Sequence, residues 1–181
     1  MSIVNMLNIG CTPDHNANNY NYWIKGTLVV CNMDVDESAG ADLIQDITQP
    51  VPDYLHNKFD IVWASHVLEH ISRNDLRQAV QNMYDMLKPG GELWVWVPCM
   101  EYACREILAG RDTSAVQALV FGGQKNEYDF HRTGYTLDAL TVLVSKFNME
   151  IKQAGVGQFA ISTAGKEDQL VEQNVVVGVK I

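Results

Sequence analysis

Phe59 to Pro98 reads FDIVWASHVLEHISRNDLRQAVQNMYDMLKPGGELWVWVP, and this stretch decides the fold. Its first six residues, Phe59-Asp60-Ile61-Val62-Trp63-Ala64, are mostly β-branched or aromatic and have polar neighbours, the pattern of a central strand. From Asn74 the apolar residues Leu76, Val80, Met83, Tyr84 and Leu87 recur at helical spacing, and Lys88-Pro89-Gly90-Gly91 supplies a stop. Leu93 to Val97 then alternates through Trp94 and Trp96 and is closed by Pro98. Strand, helix and strand in that order argue a parallel sheet.

Toward the N-terminus, Ile3 to Ile9 reads as a short buried strand ended by Gly10. The polar segment Thr12 to Asn21 reads as a turn or short irregular helix, after which Tyr22, Trp23 and Ile24 return toward the core. A second strand is expected over Thr27 to Asp34 and a short third over Ala41 to Ile47, where Pro50 and Pro52 forbid further pairing. Toward the C-terminus, helices are expected over Glu101 to Leu108, Ser114 to Val120 and Leu137 to Phe147, the last with Thr136 as N-cap. Glu150 to Ile161 and Asn174 to Ile181, separated by the polar run Ser162 to Gln173, read as an antiparallel pair at a sheet edge. The expected class is α/β: a mainly parallel sheet with an antiparallel C-terminal strand and helices on both faces.

The 181 residues, 47% of them apolar, suffice for one sizeable core, so a single domain over 1–181 is expected. No run of eighteen apolar residues occurs and the N-terminus lacks an export signal, which argues against a membrane span and for the cytoplasm. Cys11, Cys31, Cys99 and Cys104 form no CxxC pair or disulfide framework, and they fit free thiols in a reducing compartment. A net charge of -9 disfavours nucleic acid as a partner, because phosphate binding needs clustered Lys and Arg. The stretch Gln124 to Arg132 mixes Lys125, His131 and Arg132 with Glu127 and Asp129 and reads as a polar loop.

In an open α/β sheet, ligands bind beyond the carboxyl ends of the strands. There Gly10 lets the backbone approach a ligand closely, Asp34 can accept bonds from ribose hydroxyls, and Asp46 can accept from an exocyclic amine. Taken singly, each of these has a plainer reading as a turn glycine or a solvated carboxylate.

Together they resemble the class I S-adenosylmethionine (SAM)-dependent methyltransferases, a Rossmann-like family. The resemblance runs through Leu7-Asn8-Ile9-Gly10-Cys11, Asn32-Met33-Asp34, Ala41 to Ile47 and Phe59 to Ile71. Its most specific parts are Leu68-Glu69-His70 and Leu87-Lys88-Pro89-Gly90-Gly91, and Phe121 to Gln124 and Phe130 to Tyr135 resemble later segments of the group. It implies SAM as cofactor, with Gly10 and Cys11 against its methionine part, Asp34 on the ribose, Asp46 and Ile47 at the adenine, and Ser65 and His66 on the reactive side. Thr12 stands where the family usually has a second glycine, and a side chain there narrows the backbone's approach. Methyl transfer is an in-line displacement that needs alignment and, for a neutral acceptor, a general base. His66 and His131 are the expected catalytic residues, while His70 is read as packing the turn after the fourth strand. The spacing His66-x-x-Glu69-His70, with His131 further on, also resembles a metal site of some O-methyltransferases; His66 replaces its first carboxylate, and no metal is counted in the expected site.

The expected reaction is methyl transfer to oxygen or nitrogen of a small-molecule, sugar or lipid-linked acceptor. Specificity would come from the loops around Met100 to Tyr135 or from a partner subunit, as in a homodimer. The alternatives are a non-catalytic SAM-binding or regulatory protein of the same fold, and a dinucleotide-dependent oxidoreductase, against which the lack of a Gly-x-Gly-x-x-Gly run argues.

Overall fold

A computed structural model describes residues 2–11, 24–111, 113–161 and 169–181. The readings made for Thr12 to Trp23 lie outside these residues. Among the described residues, one seven-stranded sheet organises the chain, in the order β3-β2-β1-β4-β5-β7-β6. The strands are β1 (Ile3–Ile9), β2 (Thr27–Asp34), β3 (Leu43–Ile44), β4 (Phe59–Ser65), β5 (Leu87–Pro98), β6 (Met149–Ile161) and β7 (Gln169–Lys180). The helices are α1 (Leu76–Met86), α2 (Met100–Leu108), α3 (Ser114–Phe121) and α4 (Leu137–Ser145). From β3 to β5 neighbouring strands pair in parallel, while β7 runs antiparallel to both β5 and β6.

Alternation along the strands sorts the core into two faces. Leu7, Ile9, Val62, Ala64, Leu93, Val95 and Val97 join Ala79, Val80, Met83 and Met86 of α1 and Leu140 and Val144 of α4. The other face gathers Met6, Ile61 and Trp63 with the half-buried Trp94 and Trp96. The Trp63 ring lies 5.4 Å from that of Trp94 and 4.6 Å from that of Trp96, so the strand tryptophans are packing groups, as their spacing predicts. On this same strand parity, α2 and α3 pack against Val171, Phe159 and Ile161. Those residues belong to a part of the β6–β7 hairpin that passes the end of β5, since Pro98 pairs with Gln173 while Ile161 pairs with Gln169. Four further rungs, about 13 Å of ribbon, thus stand above the carboxyl rim and carry a small core of their own.

Three element readings need correction. The last strand begins at Gln169, within the run read as a polar separator, rather than at Asn174. The third strand is not Ala41 to Ile47 but only Leu43–Ile44. The Asp42 carboxylate turns back to accept the Asn32 N–H at 2.8 Å, Gln45 N–H makes the last ladder bond to Asp34 O at 2.9 Å, and Asp46 then turns the chain by accepting the Thr48 N–H at 2.8 Å, so pairing ends within two rungs. The first long helix stops at Met86, and the chain is already strand at Leu87, which pairs with Phe59 before an irregularity in the β4–β5 ladder. Lys58 N–H donates to Met86 O at 3.0 Å, so the segment just before β4, rather than the glycines, satisfies the end of the helix. Thr136 caps α4 as expected, with Oγ1 accepting the Ala139 N–H at 3.1 Å.

Candidate active site

The strand register lays out the site. Ile9 lies opposite Met33 of β2 and Ala64 of β4, so Gly10, Asp34 and Ser65 leave the sheet along one line. Beyond it opens a cleft of about 740 Å³. Of the residues singled out from sequence, Gly10, Cys11, Asp34, Asp46, Ile47, His66 and His70 border it. Ser65 and His131 are not among its lining residues: Ser65 is paired with Trp96 in the sheet, and His131 lies one layer behind, its ring edge-on to that of His70 at 4.7 Å.

Each cofactor-side group is held locally. Gly10 has φ of +73°, and a Cβ there would fall 2.6 Å from Val67 Cγ2, so only glycine lets the chain turn between β1 and the segment after β4. Asp34 accepts the Asp36 N–H on Oδ1 at 2.8 Å. Asp46 takes both the N–H and the hydroxyl of Thr48 on Oδ1, at 2.8 and 2.7 Å, leaving Oδ2 to accept from a ligand. Burial, reinforced by the nearby Asp34 charge, pushes the Cys11 thiol up, so it stays protonated at neutral pH.

One tether was not read from the sequence. Asn82 sits on the buried side of α1 and donates from Nδ2 to Ile47 O at 2.6 Å and Gln49 O at 2.8 Å. It pins the loop after β3, where Asp46 and Ile47 stand, to a helix 33–35 residues away. The legible signal was a polar residue on the apolar stripe of Ala79, Val80, Met83 and Met86.

The opposite wall is built from the turn after β4. His66 has φ of +56° and projects between three groups. Its Nδ1 faces Glu69 Oε1 at 3.0 Å, its Nε2 faces Gln173 Oε1 at 3.1 Å, and its ring lies 4.5 Å from that of Phe159. Burial pulls the imidazole's pKa down, but the bonds and charge of Glu69 and the Gln173 bond outweigh it, so His66 holds its proton more strongly than a free histidine. Glu69 is 1% exposed, and its backbone carbonyl accepts the Arg132 and Thr133 N–H groups at 2.7 and 3.1 Å. Leu68 O takes hydroxyls from Thr133 and Tyr135. Leu68-Glu69-His70 therefore does pack the turn, and it is also stitched to 132–135. His131 Nδ1 faces Leu119 O at 2.9 Å, and burial, the main cause, pushes its pKa down.

The loop 122–132 brings Lys125, Tyr128 and Arg132 to the cleft mouth. It folds on Asp129, whose backbone oxygen would lie 2.0 Å from a Cβ at Gly122. That crossing, with φ of +79°, requires a glycine.

A family model described as a methyltransferase domain matches residues 7–95. Methyltransferase grgD of Penicillium sp is 36% identical over 52 residues; the match covers 29% of this chain and 18% of that protein. A SAM-dependent methyltransferase from Methanosarcina mazei superposes with a TM-score of 0.68 at 14% identity, over 100% of this chain and 94% of its own. The N-methyltransferase NodS from Bradyrhizobium japonicum, in complex with S-adenosylhomocysteine (SAH), gives 0.59 at 17% identity, over 98% and 78%. The 1,6-didemethyltoxoflavin-N1-methyltransferase of Burkholderia thailandensis, bound to 1,6-didemethyltoxoflavin and SAH, gives 0.60 at 12% identity, over 98% and 71%.

Proposed function

From the premise that this chain belongs to the class I SAM-dependent methyltransferase family, we propose that its cleft holds SAM and delivers the methyl group to oxygen or nitrogen of a small-molecule, sugar or lipid-linked acceptor in the cytoplasm. The observation that carries this reading is the assembly of Gly10, Asp34, Asp46 and His66 from four separate strand ends around one cleft. Its volume is in the range of small-ligand sites. Asp34 is the ribose partner, Asp46 and Ile47 border the adenine, and Gly10 and Cys11 flank the methionine part.

When bound, the cofactor supplies a sulfonium methyl that needs no covalent help from the protein. The chain's own task is to align the acceptor and manage its proton. His66 has both ring nitrogens engaged, so it acts as a positioning group that fixes the wall rather than as an open base. His131 donates from Nδ1 to a carbonyl, which leaves Nε2 with its lone pair, and its lowered pKa keeps it neutral. That is the state a general base requires, with His70 between it and the cleft. Two structural neighbours bound to SAH, one of them with 1,6-didemethyltoxoflavin also bound, support the reading of a SAM cleft by likeness of fold.

Calorimetric titration with SAM and SAH tests it. Dissociation constants in the micromolar range, about -8 kcal/mol, are expected, and Asp34→Ala should weaken binding at least tenfold. No heat and no thermal shift with either ligand would refute the reading.

A further inference from the structure

The loop at the cleft mouth is held in shape by its own bonds. Asp129 Oδ2 accepts the Lys125 N–H at 3.1 Å, Asp129 O accepts the Gln124 N–H at 3.1 Å, and the Arg132 N–H reaches Glu69 O at 2.7 Å. His70 Nδ1 faces Phe130 O at 3.2 Å. The loop is therefore anchored to the turn after β4, on the other side of β1 from the strands that carry Asp34 and Asp46.

Charges in the cleft are not committed alike. Asp36 Oδ1 takes the N–H and hydroxyl of Ser38, Asp46 Oδ1 takes the same pair from Thr48, and Asp75 Oδ2 takes the Ser72 hydroxyl at 2.6 Å. These carboxylates close their own turns. Lys125 and Arg132 are the cations among the described lining residues, and neither side chain has an ion pair or hydrogen bond to another described residue. Elsewhere Lys88, Arg105, Arg111 and Lys152 each meet a carboxylate. Asn126 Oδ1 accepts the Tyr128 N–H at 2.9 Å, which leaves its Nδ2 as a third donor at the same mouth.

We infer that Lys125, Asn126 and Arg132 form an anion subsite that selects an acceptor bearing a carboxylate or phosphate group. The planar guanidinium meets two oxygens of either group side by side, and the ammonium adds a point charge. A net charge of -9 repels such a ligand at long range, so the subsite selects by contact and not by steering. An acceptor anchored by its anion at the mouth extends inward, and the anchor supplies part of the alignment that in-line transfer needs. The acceptor role rests on the proposed methyl transfer, whereas binding of the anion does not.

The test titrates the full chain, isotope-labelled for amide NMR, with benzoate, phenyl phosphate and neutral benzamide, in the presence and absence of SAH. Aryl probes suit the exposed Tyr128 ring beside the cations. Both anions should shift the signals of 124–132 saturably, with dissociation constants of about 1 mM, and benzamide should bind about tenfold more weakly. Lys125→Gln and Arg132→Gln should each weaken anion binding roughly fivefold and leave SAH affinity unchanged. Lys146→Gln, just after α4 and outside the cleft lining, should match the parent. The amide spectra show whether each variant is folded. The tighter of the two anions identifies the acceptor's group, and either order supports the subsite. Equal binding of benzamide, parent-like binding by both cleft variants, or shifts confined to residues outside the loop overturn it. A loss of SAH affinity in either variant also overturns it, because the cations then serve the cofactor's own carboxylate. Calorimetric heat with SAH but no saturable anion shift removes the subsite and leaves methyl transfer standing. Anion shifts without SAH heat keep the subsite and remove the methyl-transfer reading.

Discussion

Replacing Asn82 by leucine isolates the tether between α1 and the adenine side of the cleft. Leucine matches the side chain in size but removes both donors, to Ile47 O and Gln49 O, and the acceptor used by Gln78 Nε2 at 2.8 Å. The bond to Ile47 is fully buried, so its carbonyl is left without a partner at a cost of about 1–3 kcal/mol, and the outer bond adds about 0.5–1.5 kcal/mol. Extra apolar burial by leucine offsets about 1 kcal/mol. The net loss is about 0.5–3.5 kcal/mol, centred near 2 kcal/mol, and at the centre of that range it lowers Tm by roughly 4–8 °C in a chain of this size. The loss also frees the wall that carries Asp46 and Ile47, and SAM should bind about tenfold more weakly, near 1.4 kcal/mol. Differential scanning calorimetry and SAM titration on the same preparation read both effects. A variant that melts within about 1 °C of the parent and keeps its affinity would refute the claim that this hydrogen-bond pair holds the cleft in shape.

Gly10→Ala combines a left-handed backbone cost of about 1–2 kcal/mol with a clash of about 1–3 kcal/mol against Val67. Adding Val67→Ala should recover the clash but not the backbone cost, so denaturation of the double variant must show less destabilisation than the two single effects added; strict additivity would contradict the 2.6 Å approach. Asp60 gives a pH dependence. Burial raises its pKa, but the Lys88 ammonium at 2.8 Å and the Asn5 N–H at 2.8 Å outweigh that and lower it in the fold. Its contribution to stability is therefore present above the unfolded-state value, about 3.9, and is lost as pH falls through the lower folded value. Unfolding curves of the parent and Asp60→Asn should differ at neutral pH and converge in acid; a gap that persists or widens toward acid would reverse the sign.

What the sequence disclosed follows the range of the interactions involved. Strand ends, the α1 stripe and the Thr136 cap depend on neighbours within a few positions, and these elements lie where alternation, helical spacing and a hydroxyl before a helix put them. The short β3 was overestimated because Ala41 to Ile47 has strand-like composition, whereas the Asp42 carboxylate takes the Asn32 N–H and Asp46 turns the chain onto Thr48 and Gln49. The stop after α1 was misplaced because the cap comes from Lys58, some thirty positions away, and no local glycine signal reports it. The same reason hid the bonds from 132 and 133 to Glu69: a histidine in a polar loop reads alike whether it hangs in solvent or is folded against a buried carboxylate.

Those long-range bonds have a structural purpose that the element lengths make plain. Between β2 and β4 the described chain has only two strand residues and two single-turn helices, at Glu37–Ala39 and Asp53–Leu55, so little regular packing supports that half of the rim. Single hydrogen bonds take over: Asn82 reaches out from α1, Asp46 closes its own turn on Thr48, and across the cleft the Leu68 carbonyl receives the Thr133 and Tyr135 hydroxyls and the Glu69 carbonyl the Arg132 N–H. Packing contributions are spread over many atoms, whereas each of these tethers rests on one or two bonds. A point change there should consequently alter ligand affinity more than a comparable change in the α1–α4 core, where lost contacts lower stability but leave the rim in register.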